Sequence, residues 1–332
     1  MKHKTKALVA ALALASTFGM AANAQGIEDP SRAEYFEFFK GKTVAFVPAA
    51  MGFDLTEGWA KMMKREADKL GMNFVIRDPN WSTDAGAQAI TALISEKPDV
   101  MVVHNPDVQS YARLLRKAEQ AGIKVLQVNM KSSYATDAYV GADWQGIGAQ
   151  QAEAAVALCG EGTSKKIQIV QGVLTAAASA YTMKGVESVL SQHPEIEVVS
   201  NQAADWDATK SRNVTATVLQ QHPDLCASIG FWDVMDTGTA AALKEADRAD
   251  VHLITSGGGA QMDCDNVASG LFDVVVSYDV PAQGNDLNTM IRTLLQDEHK
   301  AGETKVTLYS PTKTITKDTM HGGSCWSLDL LE

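Results

Sequence analysis

Short apolar runs recur along the chain, and each leads into a stretch where apolar residues return every three or four positions. Thr43-Val-Ala-Phe-Val47 precedes Trp59 to Leu70, and Asn73-Phe-Val-Ile-Arg77 precedes Ala85 to Ser95. Asp99-Val-Met-Val-Val-His104 precedes Gln109 to Ala121, and Lys124-Val-Leu-Gln-Val128 closes the series. A run of this length predicts a buried strand and a 3.6-residue period predicts a helix; strand starts about 25 to 30 residues apart match one βα unit.

A second series has nearly the same spacing: Lys166-Ile-Gln-Ile-Val170, Ile196-Glu-Val-Val199, Cys226 to Phe231 and Val251-His-Leu-Ile-Thr255. Gly71 and Gly122 stand where helices should stop, and Pro98, Pro194 and Pro223 stand just before strands. The pattern predicts an α/β fold of two similar Rossmann-like lobes with parallel sheets. Ala138-Tyr-Val-Gly-Ala-Asp-Trp144 is too short and too apolar for a flexible linker, so it is expected to be a strand that passes from one lobe to the other. After Thr255 come a helix at Gln261 to Ser269, a strand at Asp273 to Tyr278, a helix from Ala282 to Leu295 and a strand around Thr304 to Tyr309. These have to return to the first lobe and come back, because each parallel sheet needs helices on both faces. Ser31 to Lys40 is expected to be a short amphipathic extension with Ser31 as its N-cap, and no function is attached to it.

The first residues change the compartment. Lys2, Lys4 and Lys6 precede an apolar stretch from Ala7 to Phe18 and the small-x-small site Ala22-Asn23-Ala24, the pattern of a secretory signal cleaved near Ala24. The stretch is shorter than the roughly 20 residues of a bilayer span. About 308 residues remain, more than one domain usually carries. A net charge of −11 without a long basic run excludes nucleic acid as a partner. Cys159, Cys226, Cys264 and Cys325 would enter an oxidising compartment, where four cysteines allow three pairings. The preferred pairing is Cys159 with Cys226 and Cys264 with Cys325; a single bridge or buried free thiols is the alternative.

Ligands of open parallel α/β sheets sit beyond the carboxyl ends of the strands. The residues expected there are Phe53, Asp54, Asn105, Asn129, Trp144, Trp206, Trp232, Asp233 and Asp279, with Gln171 and Asp207 beside them. Aromatic rings and acceptor groups dominate, and lysine and arginine are nearly missing. A ring offers a flat face to C–H groups and a carboxylate accepts from hydroxyls, so the set suits a small neutral polyhydroxylated molecule. Each residue has a plainer role open to it: a tryptophan can pack a lobe edge, Asp143, Asp207 and Asp233 can be N-caps, and Asn105 can start a turn before Pro106. Ser256-Gly-Gly-Gly259 lacks both phosphate-loop spacings and is expected to be a place of close backbone approach. No metal, cofactor or catalytic constellation is expected: HExxH, EF-hand and GxSxG patterns are missing, and His104 stands at a strand end without a Ser or Cys partner.

The mature chain resembles the periplasmic sugar-binding proteins of the ribose-binding type, the soluble receptors of ABC importers. The resemblance is carried by READKLG at 65 to 71, HNPD at 104 to 107, AGIKVLQVN at 121 to 129, VGAD at 140 to 143, DWDATKS at 205 to 211, HPDLCASIGFWD at 222 to 233, and the crossover Asp279 to Pro281. It implies two lobes joined by three hinge crossings, here 27–142 plus 280–309 and 143–279 plus 310–332, closing on one sugar. It further implies a monomer in the periplasm, a permease partner and, in some members, a chemoreceptor. Asn105 falls where the family uses an asparagine on sugar hydroxyls, and Trp206 where a ring stacks on the sugar. Several positions depart from the family: Trp232 replaces an asparagine, Asn129 an aspartate, Met130 an arginine and Gly257 an aspartate. Thr182-Met-Lys-Gly185 replaces Arg-x-x-Gly, and Phe53-Asp54-Leu55-Thr56 replaces Asn-x-Phe-Phe. The expected ligand is therefore a neutral carbohydrate or sugar alcohol in a pocket less cationic than usual. A small cation held by Trp144, Trp206, Trp232, Asp54 and Asp279, or a sensory rather than import role, is the alternative.

Overall fold

The computed structural model describes residues 29–331; the expected signal segment lies outside them. The chain forms a short unit up to Phe38 and a large unit from Phe39 onward. The described part of the first unit belongs to helix α1, Pro30–Phe39. Asp29 caps this helix, with its Oδ1 accepting from the Arg32 N–H at 3.2 Å and from the Ser31 hydroxyl. Ser31, expected to be the N-cap, lies inside the helix. Nor does the helix carry the expected apolar stripe: Tyr35 and Phe36 are half-buried and Phe38 is exposed.

The large unit contains two six-stranded sheets. In the first, β1 (Thr43–Val47), β2 (Asn73–Ile76), β3 (Val100–Val103), β4 (Lys124–Val128) and β5 (Ala138–Gly141) are joined by β11 (Val306–Tyr309), in the order β11-β5-β4-β3-β1-β2. In the second, β6 (Lys166–Gln171), β7 (Glu197–Ala203), β8 (Ala227–Gly230), β9 (His252–Gly257), β10 (Val274–Ser277) and β12 (Lys313–Ile315) run in the order β12-β10-β9-β8-β6-β7. The two orders correspond strand for strand, so each sheet is a copy of one plan. All pairs are parallel except β10 with β12, which is antiparallel. That short strand was not expected from the sequence; only Ile315 of its three residues is buried, so it carries almost no apolar signal.

Central strands β1, β3, β4 and β8 are buried along nearly their whole length, which is why they read as unbroken apolar runs. Helices α2 (Asp54–Leu70), α3 (Thr83–Glu96), α4 (Ala112–Gln120) and α10 (Val280–Gln296) flank the first sheet. Helices α5 (Trp144–Leu158), α6 (Ala177–Leu190), α7 (Ala208–Gln221), α8 (Asp233–Glu245) and α9 (Gln261–Ser269) flank the second. The chain passes between the sheets three times: after β5, after β10 and after β11.

Both cysteine pairs form as preferred, Cys159–Cys226 and Cys264–Cys325, and the alternative of free thiols does not hold. All four cysteines belong to the second lobe or to the segment after its last strand. Beyond Cys325 that segment turns toward the first lobe. The Trp326 indole donates to Gly258 O at 2.8 Å, while Lys61 Nζ and Arg65 Nη1 on α2 donate to Leu328 O and Leu331 O at 2.8 and 3.0 Å. The end of the chain therefore spans both lobes rather than lying on the second alone.

Candidate functional site

The carboxyl ends of the two sheets face each other across a cleft, and the lobes are in contact there. The Val108 N–H donates to Thr175 O at 3.1 Å, and the Phe53 ring meets the Trp232 ring edge-on at 5.6 Å. Behind these contacts lies an inner chamber with a cavity volume of about 40 Å³. The first lobe contributes Phe53, Leu55, Trp81, His104, Asn129 and Met130, and the second contributes Trp144, Ala178, Trp206, Phe231, Trp232 and Tyr278. A larger cavity of about 520 Å³ opens on the outer side of the wall made by Phe53, Trp81, Met130, Trp206 and Trp232.

The wall is built by a duplicated turn. After β2 comes Asn80-Trp81-Ser82, and after the corresponding β7 comes Asp205-Trp206-Asp207. In both, two successive residues take the left-handed conformation, with φ 47° and 66° in the first and 52° and 65° in the second. A bulky side chain adopts that region rarely and at a cost of order 1–3 kcal/mol, so two tryptophans held there mark an imposed geometry. The third residue then caps the next helix: Ser82 Oγ accepts from the Ala85 N–H at 3.2 Å and Asp207 Oδ1 from the Lys210 N–H at 2.8 Å. Asp207 is thus the N-cap it was expected to be. Trp81 stacks on Phe53 with centroids 5.5 Å apart, and Trp206 meets Trp232 edge-on at 6.2 Å. Gly172 admits the Trp206 ring, since a Cβ there would stand 2.1 Å from it. Trp232 is the hub, touching Phe53, Trp81 and Trp206 while packing on the core residues Val170, Ala204 and Met235.

Of the expected residues, Phe53, Asn129, Trp144, Trp206 and Trp232 come together at the chamber. Trp144 is fixed by its indole N–H, which donates to Asn129 O at 2.7 Å, and by an edge contact to Tyr278 at 5.2 Å. The other four do not reach it. Asn105 is buried behind the wall; its Nδ2 donates to Gln127 Oε1 and Met130 O, at 2.9 and 2.8 Å, while its Oδ1 has no partner. Asp54 opens α2 and is exposed. Asp279 caps α10 and pairs with Lys313 at 3.0 Å.

Asp233 is buried beside Gly257, where a Cβ would stand 1.9 Å from its Oδ2; the close approach expected of the glycine run is real, and its cause is this carboxyl. Desolvation raises the Asp233 carboxyl to about 6, although the Val234 N–H donates to it at 2.7 Å. Burial and the neighbouring Asp233 push the Asp263 carboxyl well above its usual range. Asp263 Oδ1 has no other hydrogen-bond partner. Asp236, buried and bonded to Thr255 Oγ1 at 2.5 Å, is raised as well. The second lobe therefore holds three buried carboxyls behind the rings, all raised above their usual range.

Sequence reasoning missed Trp81, Leu55, His104, Met130, Ala178, Phe231 and Tyr278 as lining residues. Trp81 was findable, because the strand-end rule applies to β2 as it does to β7 and NWS repeats the spacing of DWD.

The two cavities differ in their unmet hydrogen bonds. In the outer cavity Asp107 is satisfied by Ser110 and the Gln109 and Ser110 N–H groups, Asp205 by Lys210, and Asp207 by its cap. At the inner chamber both ring nitrogens of buried His104 have no partner. Native interiors seldom leave such atoms unpaired, because each costs about 1–3 kcal/mol.

A family model described as a periplasmic binding protein domain matches residues 44–299. The chain belongs to this family. Within it, the chain is 26% identical over 212 residues to the D-apiose import binding protein of Actinobacillus succinogenes, covering 62% of this chain and 66% of that one. It is also 26% identical over 252 residues to the ribose import binding protein RbsB of Salmonella typhimurium, covering 76% and 79%. Among solved structures, an ABC transporter solute-binding protein from Burkholderia graminis in complex with D-arabinose aligns with a TM-score of 0.75 at 23% identity, over 85% of this chain and 97% of that one. At that identity the likeness is one of fold, and it is the two-lobed fold of periplasmic binding proteins.

Proposed function

We propose that the protein is the periplasmic solute-binding component of an ABC importer, a monomer that captures one small neutral carbohydrate or sugar alcohol between its lobes. The observation that carries this reading is the lining of the inner chamber: seven aromatic rings besides an imidazole, one carboxamide, and no charged side chain. Rings accept C–H faces, and neutral polar groups match hydroxyls without the desolvation cost of a charge. The names of the relatives, importers of apiose and ribose, support the same class.

Closure is the mechanism. Contacts such as Phe53 to Trp232 exist only when the lobes meet, and a ligand that touches both walls binds the closed form more tightly than the open one. Moving a population from mostly open to mostly closed takes a differential affinity of several kcal/mol, which a ring-lined chamber can supply. The closed surface is then what the permease reads. The alternative of a cation in an acidic cage loses its anions, since Asp54 and Asp279 do not line the chamber. Calorimetric titration of the mature protein with pentoses, pentitols and smaller polyols, alongside amines of equal size, tests the reading. Saturable binding of a neutral hydroxylated compound supports it, and affinity for amines alone rejects it. Loss of uptake of the bound compound on deletion of the gene separates import from sensing.

A further inference from the structure

His104 ends the third strand run, with no Ser or Cys partner evident along the chain. In the structure it lines the inner chamber, is buried, and has neither ring nitrogen bonded. The edge-on Trp59 ring at 5.3 Å holds the imidazole in place, and the Trp59 Nε1 is itself unpartnered. Beside them Asn129 lines the chamber and accepts from Gln283 Nε2 at 3.2 Å, while Gln283 Oε1 is buried and unpartnered. These polar atoms all belong to the first lobe or its covering helix. The wall supplied by the second lobe is mainly aromatic and aliphatic, its polar atoms being the Tyr278 hydroxyl and indole N–H groups.

We propose that His104 is the specificity-determining residue of this site: a neutral imidazole that hydrogen-bonds a terminal hydroxyl through one ring nitrogen, selecting small molecules with their oxygens at one end and C–H surface over the rest. The inference rests on the reading of the chamber as the ligand site and narrows its substrate class to short vicinal diols and deoxygenated polyols. Three observations carry it. A neutral imidazole offers an N–H on one side and a bare nitrogen on the other, and a hydroxyl, being both donor and acceptor, can pair with whichever it meets. Burial alone lowers His104 to about 3, so it stays uncharged across the physiological range and attracts no anion. The cavity of about 40 Å³ has room for about three water molecules, and its remaining walls offer rings to a molecule of few atoms. A pentose, with hydroxyls all round, would bury most of them against indole faces that cannot pair with them.

The test is a titration ladder of 1,2-propanediol, 1,2-butanediol, glycerol, xylitol and D-ribose on the wild type and on His104→Phe, His104→Gln and His104→Asn. The expected results are diols bound at least roughly tenfold more tightly than xylitol or ribose, and a loss of roughly 10- to 100-fold in His104→Phe. One of the two amide variants, which keep a donor and an acceptor near Nε2 or Nδ1, restores part of the affinity. His104→Phe should also melt at or above the wild-type temperature without ligand, because two unmet polar atoms are gone; a structural histidine would show the opposite. Unchanged affinity in His104→Phe, or a loss matched by lower stability in all three variants, overturns the assignment. Tight binding of ribose or xylitol above the diols overturns the substrate class and leaves the importer reading standing. Binding of none of the five compounds overturns both.

Discussion

The two lobes share one strand order but divide the work of the cleft. The first lobe contains no cysteine, and it offers the chamber His104 and Asn129 beside Phe53 and Trp81. The second carries both disulfides, keeps Asp233, Asp236 and Asp263 behind its wall, and offers mainly Trp144, Trp206, Phe231, Trp232 and Tyr278. The imidazole and carboxamide of the lining thus come from one half and most of its rings from the other. A ligand can be oriented by hydrogen bonds on the first lobe before the second closes over it, and the duplicated Trp turn shows that the asymmetry was laid on a symmetric frame.

The largest effect expected from this comparison is on stability. Cys264→Ser with Cys325→Ser removes a bridge between positions 61 residues apart and should cost about 2–5 kcal/mol in denaturant unfolding. The loss should fall on the second lobe: hydrogen exchange in β9 and β10 should quicken while β1 and β3 stay protected. Equal loosening of both sheets would mean the lobes do not differ as described.

Next in size is Trp232→Ala. It removes the ring on which Phe53, Trp81 and Trp206 converge, and should weaken ligand binding by about 2–3 kcal/mol. The duplicated turns give a finer contrast. Trp206→Ala should cost about 1–3 kcal/mol in binding, and Trp81→Ala less, because Trp81 is 51% exposed and reaches the chamber from its outer edge. The reverse order would put the ligand in the outer cavity.

In pH dependence the lobes should differ in sign. Between about pH 6.5 and 3 the unfolded chain protonates His104 while the folded chain does not, so this contribution to stability is full above 6.5 and lost as the pH falls. Between 3.8 and about 6 the folded chain keeps a proton on Asp233 that the unfolded chain has released, so that contribution is full below 3.8 and lost as the pH rises through 6. Urea midpoints from pH 4 to 8 should show a flatter acid limb in His104→Phe. Asp233→Asn should gain most, relative to wild type, above pH 6.

The sheets were legible because their central strands are buried on both faces and read as continuous apolar runs. Strand β12 was not, because an edge strand with one buried residue has no such pattern. Within the site, Phe53, Asn129, Trp144, Trp206 and Trp232 were reached by one rule, that ligands meet strand ends. The same rule pointed to Asp279, whose carboxylate is used by the α10 N-terminus and Lys313, and to Asn105, whose amide N–H groups are used by Gln127 and Met130 O while its Oδ1 has no partner. Sequence shows which groups can pair but not which are already paired. His104 matters for the converse reason: its importance lies in having no partner, which only the folded surroundings reveal.

The most direct measurement is a crystal structure of the protein with the compound that copurifies with it. The account expects one small uncharged molecule in the inner chamber, in contact with Trp206 and Trp232 of the second lobe and hydrogen-bonded to the first. Density in the outer cavity alone, or a charged ligand paired with Asp233, would contradict it.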